Sequence, residues 1–320
     1  MNAIGIVGLG NAGKPIAERL LQKGYRLKVY DLNPEAVNAV AELGAVKTNS
    51  AREAVAEITL TILPSSTEVK AAAFGENGVL AGIKPGFVLV DLSGTDPIFA
   101  RALEGELEKR NAGFLGATLH AAGAPAVTIP RGLLSIVVGG KKDALDKSLG
   151  ILKDLGRKVI CVPEAWMPKA MKIAVIMFAA ANSIVAAEVS SWLTAQGLDP
   201  KLFLELLKTT GSRESAARLE DFFKRNNTHG GALSNSYKDV RQALEVAAAL
   251  DFPLPLMSAV NQMQEMGRAQ GLTRLNTPAA MGKLYEILTG RDLSEAVLEA
   301  EKIFPEPQEP EVIYLEDLNK

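Results

Sequence analysis

At 320 residues, with 48% hydrophobic and 22% charged side chains, the chain has a globular composition and length enough for two domains, each with its own core. A formal net charge of −2 removes the electrostatic case for nucleic acid or an anionic membrane as partner. The single cysteine, Cys161, excludes an intramolecular disulfide and fits a reducing, cytoplasmic compartment; with only two histidines, far apart, no His/Cys metal site is expected.

The first stretch, Gly5 to Asp31, predicts strand, tight turn, helix and second strand. Ile4, Ile6 and Val7 form a short apolar run that stops at Gly8. Gly8, Gly10 and Gly13 follow in G-x-G-x-x-G spacing, and Asp31 stands at the tip of the second strand, 18 residues beyond Gly13. Such a turn lets the chain leave the strand sharply, lets backbone approach a diphosphate, and lets the helix sit close to the sheet. A helix starting near Asn11 and Ala12 aims free N–H groups and its positive dipole end at that diphosphate. Asp31 can accept both ribose hydroxyls of an adenosine and would repel a 2′-phosphate. No arginine follows it, so NAD is favoured over NADP.

Further on, Asn33-Pro34 caps a short helix. Ile58–Leu63 and Phe87–Leu92 read as buried strands, ending in Leu63-Pro64-Ser65-Ser66 and Asp91-Leu92-Ser93-Gly94-Thr95. Such strand ends hold ligands in open α/β sheets. Strands at Gly113–Ala117, Leu134–Val138 and Lys158–Val162, the last of the sheet, alternate with helices at 99–110 and 143–155. This alternation predicts a doubly wound, parallel Rossmann sheet. The pattern changes at Pro163. From Pro168 to Gln196 a helix of about 40 Å is predicted, stopped by Gly197. Further helices follow at 202–209, 215–224, 238–250, 256–270 and 278–288. The expected organisation is a dinucleotide-binding domain over 1–163, an all-α substrate and dimerisation domain over 164–304 joined by the long helix, and a Pro/Glu-rich tail over 305–320. That tail is expected to be extended or disordered, with VIYL at 312–315 able to dock on a partner. The chain opens on a strand, leaving no room for a signal peptide, and the most apolar run carries Asn182 and Glu188, so no membrane span is expected.

A dinucleotide fold with a helical second domain suggests hydride transfer, which needs a proton-transfer group beside the nicotinamide. Lys169 and Lys172 stand one turn apart near the start of the long helix. A lysine against an apolar helix face can have a lowered pKa and act as acid or base. Spacing alone does not choose between them, nor between that role and two solvated lysines.

The motifs together resemble the β-hydroxyacid dehydrogenases, the group with 3-hydroxyisobutyrate dehydrogenase, tartronate semialdehyde reductase and L-threonate dehydrogenase. They are GIVGLGNAG at 5–13, LPSSTEV at 63–69, DLSGTDP at 91–97, the segment 114–140, GLDP at 197–200, TGSRES at 210–215, YKDVRQALEVA at 237–247 and DFPLPL at 251–256. The resemblance spans about Ile4 to Leu288. It implies that Lys172, not Lys169, is the acid/base group and holds the substrate oxygen. It implies that Leu63, Pro64 and Gly94 lie on the nicotinamide side and that Lys238 reaches the cofactor, although a surface lysine explains Lys238 as well. Ser212 and Arg213 fall where the family's second domain meets substrate; Arg213 either pairs with a carboxylate or makes a surface ion pair. The family pairs through its helical domains, which implies a homodimer or higher oligomer.

Three departures concern the substrate half. The family's substrate loop reads D-x-P-V-S-G-G, whereas here His120 replaces the serine and Ala121 and Ala122 replace the glycines. Ile176 stands where an asparagine follows the lysine by one turn. Gly94 replaces the threonine of a Ser-Thr pair. His120 either hydrogen-bonds a substrate acid group or packs in a remodelled loop. The expected function is hydride transfer between nicotinamide and a β-hydroxyacid or related semialdehyde, with a non-standard substrate. Two alternatives stay open: an imine reductase-like enzyme, against which Lys172 argues, and a non-catalytic NAD-binding module.

Overall fold

The computed structural model describes residues 3–120, 125–198, 203, 207, 231–291 and 311–314. They fall into two compact units, one of Met1–Lys172 with the C-terminal segment from Pro305, the other within Ile173–Phe304.

The first unit is a nine-stranded sheet with helices on both faces. Its strands are β1 (Ile4–Val7), β2 (Leu27–Tyr30), β3 (Val46–Lys47), β4 (Ile58–Thr61), β5 (Val88–Asp91), β6 (Gly113–His120), β7 (Leu134–Gly140), β8 (Gly156–Val162) and β9 (Glu311–Tyr314). Its helices are α1 (Gly13–Gln22), α2 (Pro34–Ala41), α3 (Ala51–Ala54), α4 (Ser66–Ala73), α5 (Val79–Gly82), α6 (Pro97–Glu108), α7 (Pro125–Thr128) and α8 (Lys142–Leu155). The strand order is β3-β2-β1-β4-β5-β6-β7-β8-β9. Alternate side chains of the central strands enter two cores, as strands covered on both faces require. Ile6, Val90 and Leu115 pack with Ile16 and Leu20 of α1 and Leu152 of α8. Val7, Leu89 and Phe114 pack with Val69 of α4 and Leu103 and Leu107 of α6.

Two features depart from the sequence expectation. β6 and β7 pair antiparallel, with Ala117 opposite Val138 and His120 opposite Ser135, while every other pair is parallel. A parallel return needs a crossover long enough for a full helix, and among the described residues of this connection there is one helical turn, α7. β8 is not the last strand. Residues 311–314 of the expected free tail pair in parallel with Lys158–Cys161, extending the chain's own sheet.

Helix α9 (Met167–Ala195) starts in the first unit and continues into the second. By length and composition it can cross a membrane, contrary to the expectation from Asn182 and Glu188. Asn182 Nδ2 donates to the Phe178 carbonyl of the preceding turn at 2.7 Å, which satisfies one of its amide donors within the helix. The helix is nonetheless anchored at its start, where Lys169 is fully buried in the sheet unit. The second unit adds α10 (Leu233–Ala249), α11 (Pro255–Ala269) and α12 (Thr277–Thr289). Ala180, Ile184 and Ala187 of α9 share a core there with Val240, Val260, Met281 and Leu284. The predicted helices at 202–209 and 215–224 lie almost wholly outside the described residues.

Candidate active site

The strand order reverses direction between β1 and β4, and the carboxyl ends of those strands form the crevice where such sheets take ligands. Gly8 has φ +102°, and a Cβ there would overlap the Ile62 carbonyl after β4. A Cβ on Gly13 would overlap the Gly8 carbonyl, so the turn folds tightly onto α1. Gly10 faces open space, with nothing within 4 Å of an added Cβ. Asn11 is exposed beside it, and Ala12, the residue before α1, gives the helix no side-chain cap. The turn therefore offers bare backbone and uncapped helix N–H groups, which fits a diphosphate. Asp31 stands against the same turn. Its carboxylate accepts from the Leu9 N–H at 2.6 Å and the Asn33 N–H at 2.7 Å. These two bonds fix it, and a carboxylate so bound keeps lone pairs for ribose hydroxyls.

Around the ends of β4, β5 and β6 the chain is closed by side chains. Leu63 N–H donates to Ser93 Oγ at 2.9 Å, and Gly94 N–H donates to the Leu63 carbonyl at 3.0 Å. Pro64 is exposed next to this zipped pair. Next to it lies a buried polar network. Lys169 Nζ stands 2.9 Å from Asp91 Oδ2 and donates to the carbonyls of Asp91, Ser93 and Ala117 at 2.8, 3.1 and 2.9 Å. Asp91 also accepts from Thr61 Oγ1 at 2.9 Å, Thr95 Oγ1 at 2.6 Å and the Ser93 N–H at 3.1 Å. Burial alone would raise the Asp91 carboxyl; the Lys169 ammonium and these donors outweigh it and hold it below the usual range. Burial pushes the Lys169 pKa below its ordinary value, and Asp91 opposes that shift. The bonding of both groups is directed inward. Gly94 sits where a threonine is expected from the family pattern, and the next residue, Thr95, donates its hydroxyl to Asp91.

Lys172, one turn later, lines a cavity of about 190 Å³. The same cavity is lined by Ala12 and Ser93, by Thr118 and Leu119 of β6, and by Leu92, Pro125, Ile129 and Leu134. It thus meets the glycine turn, the end of β5 and the β6–β7 connection. His120 is half-buried, and its Nε2 lies 3.0 Å from Thr118 Oγ1. Burial, then the Lys172 charge, pushes the His120 pKa below its ordinary value, so the imidazole is neutral near pH 7.

Burial separates the two lysines that spacing left equal. Thr118 is a lining residue that the sequence reading missed; its signal was the β alternation that places it two residues before His120 on the same strand face. Ile176 lies on α9 in the second unit, as does Lys238 on α10, whose Nζ is 3.2 Å from Asp239. Ala121, Ala122, Ser212 and Arg213 lie outside the described residues. No group of three or more potential metal ligands occurs among the described residues.

Known proteins match both units. A family described as the NAD binding domain of 6-phosphogluconate dehydrogenase covers residues 3–163. One described as NAD-binding of NADP-dependent 3-hydroxyisobutyrate dehydrogenase covers 168–284. The chain is 30% identical to 2-(hydroxymethyl)glutarate dehydrogenase of Eubacterium barkeri over 91% of its own length and 97% of the relative's. The chain belongs to the β-hydroxyacid dehydrogenase family. Human mitochondrial 3-hydroxyisobutyrate dehydrogenase is 29% identical over 85% of this chain and 83% of its own. Among solved structures, 3-hydroxyisobutyrate dehydrogenase of Mycobacterium tuberculosis superposes with a TM-score of 0.79 at 24% identity, over 89% of this chain and 99% of the other. That likeness concerns the fold. As a β-hydroxyacid dehydrogenase, the protein is an NAD(P)-dependent oxidoreductase acting on hydroxyl groups.

Proposed function

We propose that this β-hydroxyacid dehydrogenase oxidises a hydroxyacid, or reduces the matching semialdehyde, with Lys172 as general acid/base. The observation that carries this is the division of labour on α9: Lys169 is committed to Asp91 inside the protein, while Lys172 lines the cavity that reaches from Ala12 to Thr118. A bound nicotinamide supplies the hydride acceptor or donor. Lys172 takes the hydroxyl proton during oxidation and returns it to the carbonyl oxygen during reduction. Thr118 and Ser93 offer hydroxyls to the substrate, and Leu119, Ile129 and Leu134 keep the cavity dry around its carbon chain. Gly8, Gly10, Asn11 and Ala12 hold the diphosphate, and Leu63, Pro64 and Gly94 border the nicotinamide ribose.

Asp31 supports NAD as the working cofactor, since its fixed carboxylate would face a 2′-phosphate. His120, neutral and bonded to Thr118, supports a substrate gripped by fewer backbone N–H groups than the family's glycine pair provides. Lys238, Ile176, Ser212 and Arg213 complete the proposed set from the helical half. Exposed Phe178, Val185 and Trp192 on one helix support self-association, which sedimentation would read as a species of at least twice the chain mass. The deciding experiment is a panel of hydroxyacids and semialdehydes with both nicotinamide cofactors, followed as NAD(P)H absorbance. Turnover that vanishes in Lys172→Ala while cofactor binding persists is the expected result; near-normal turnover in that variant removes the mechanism.

A further inference from the structure

Arg19 lies on α1 and takes no part in the chemistry above. Its Nε donates to the carbonyl of Asp154 near the end of α8, and its Nη1 donates to the carbonyl of Pro130 at 2.6 Å. Pro130 belongs to the turn after α7. In that turn the Gly132 N–H donates to the Ile129 carbonyl at 2.9 Å and the Leu133 N–H to the Thr128 carbonyl at 3.0 Å. Gly132 has φ +67°, and a Cβ there would overlap the Arg19 guanidinium, so the turn closes around that side chain. The far end of the contact is itself held. Asp154 accepts from the Tyr25 hydroxyl at 2.8 Å and stands 3.3 Å from Lys23 Nζ.

We infer that Arg19 is a positioning residue that fixes the α7 wall of the Lys172 cavity. Pro125 and Ile129 of this connection and Leu134 at the start of β7 line that cavity. The inference rests on reading the cavity as the substrate site. A single helical turn with a proline and a glycine behind it has little stability of its own. A guanidinium offers its donors in a planar fork, so two carbonyls fix its orientation as well as its position. Without it the wall samples more arrangements, and substrate must order the wall on binding. That cost falls on KM more than on kcat.

Three variants test this: Arg19→Ala, Arg19→Lys and Gly132→Ala. Hydrogen exchange of the 125–134 segment is measured first, without any substrate. In Arg19→Ala, exchange there is expected to rise about tenfold relative to α6, which packs in the other core of the sheet unit. With the best substrate of the panel, KM rises about tenfold, kcat changes less than about threefold, and the cofactor Kd stays within about twofold. Gly132→Ala, whose methyl competes for the guanidinium's place, reproduces the KM effect from the other side. Arg19→Lys, able to reach one carbonyl but not both, recovers part of it. Unchanged exchange in Arg19→Ala overturns the inference, as does a normal KM in Gly132→Ala should Arg19→Ala fail to fold. If the wild type turns over no hydroxyacid, the functional reading fails, while the exchange result still decides whether Arg19 tethers the wall.

Discussion

The buried network behind the cavity-lining Ser93 (the floor) and the cavity lining itself (the rim) use the same side-chain types differently. In the floor, Lys169, Asp91, Thr61 and Thr95 are buried and spend their bonding on one another and on three carbonyls. At the rim, Lys172 and Thr118 face the cavity, with His120 beside them. A lysine is therefore not a reactive group by type. What separates the two is burial: Lys169 has no solvent exposure, whereas Lys172 is half-buried and lines the cavity. The floor ties β4, β5, β6 and α9 together, and that rigidity lets a rim built on strand and helix ends hold its geometry.

Removing the floor cation should give the largest effect. Lys169→Met leaves the Asp91 carboxylate buried without its counter-charge, which typically costs about 3–5 kcal/mol. Urea unfolding should show that loss, and a loss below about 1 kcal/mol would put Lys169 outside the class of buried pairs. At the rim, Lys172→Met should lower kcat by about 10²–10⁴-fold while the urea midpoint moves little. An equal loss of stability in both variants would erase the distinction between floor and rim. Changing Asp31 to Ser removes a carboxylate from the glycine turn and should shift the kcat/KM ratio about tenfold toward NADP, equivalent to about 1.4 kcal/mol. An unchanged ratio would show that Asp31 serves only the two N–H groups it already binds.

The smallest effect concerns pH. The folded pKa of His120 lies below its ordinary value because of burial and Lys172. The unfolded chain then binds more protons just below the ordinary histidine value, so stability is intact above about pH 6.5 and declines as pH falls through the folded pKa. Replacing His120 by Asn should flatten this acid limb of the melting profile. An identical acid limb in the variant would assign the titration to another group.

Much of the sheet unit was legible because its signals are local. Glycines at a turn that rejects Cβ atoms, buried apolar runs, and Asn33, whose Oδ1 accepts the Glu35 N–H at 3.0 Å, all act within a few residues of their effect. What stayed hidden acts across the chain. Lys169 meets Asp91 from 78 residues away, and Arg19 meets Pro130 across 111. No periodicity reports such partners. The antiparallel β6–β7 pairing was missed because a connection with apolar and small residues reads like any βα unit. Residue spacing alone did not separate Lys172 from Lys169; family resemblance pointed to Lys172, and in the structure the two differ in burial.

β9 joins the sheet beside β8, although the whole of the second unit lies between them in sequence. The sheet's outer border is thus completed by a segment made long after its neighbour. Until that segment arrives, β8 presents an open row of amide and carbonyl groups, the sort of border that recruits strands from other molecules. Assembly of this pair is a late, long-range event. Tags fused directly behind Tyr314, or truncations ahead of Glu311, would leave the nascent sheet more prone to aggregate than either lysine variant.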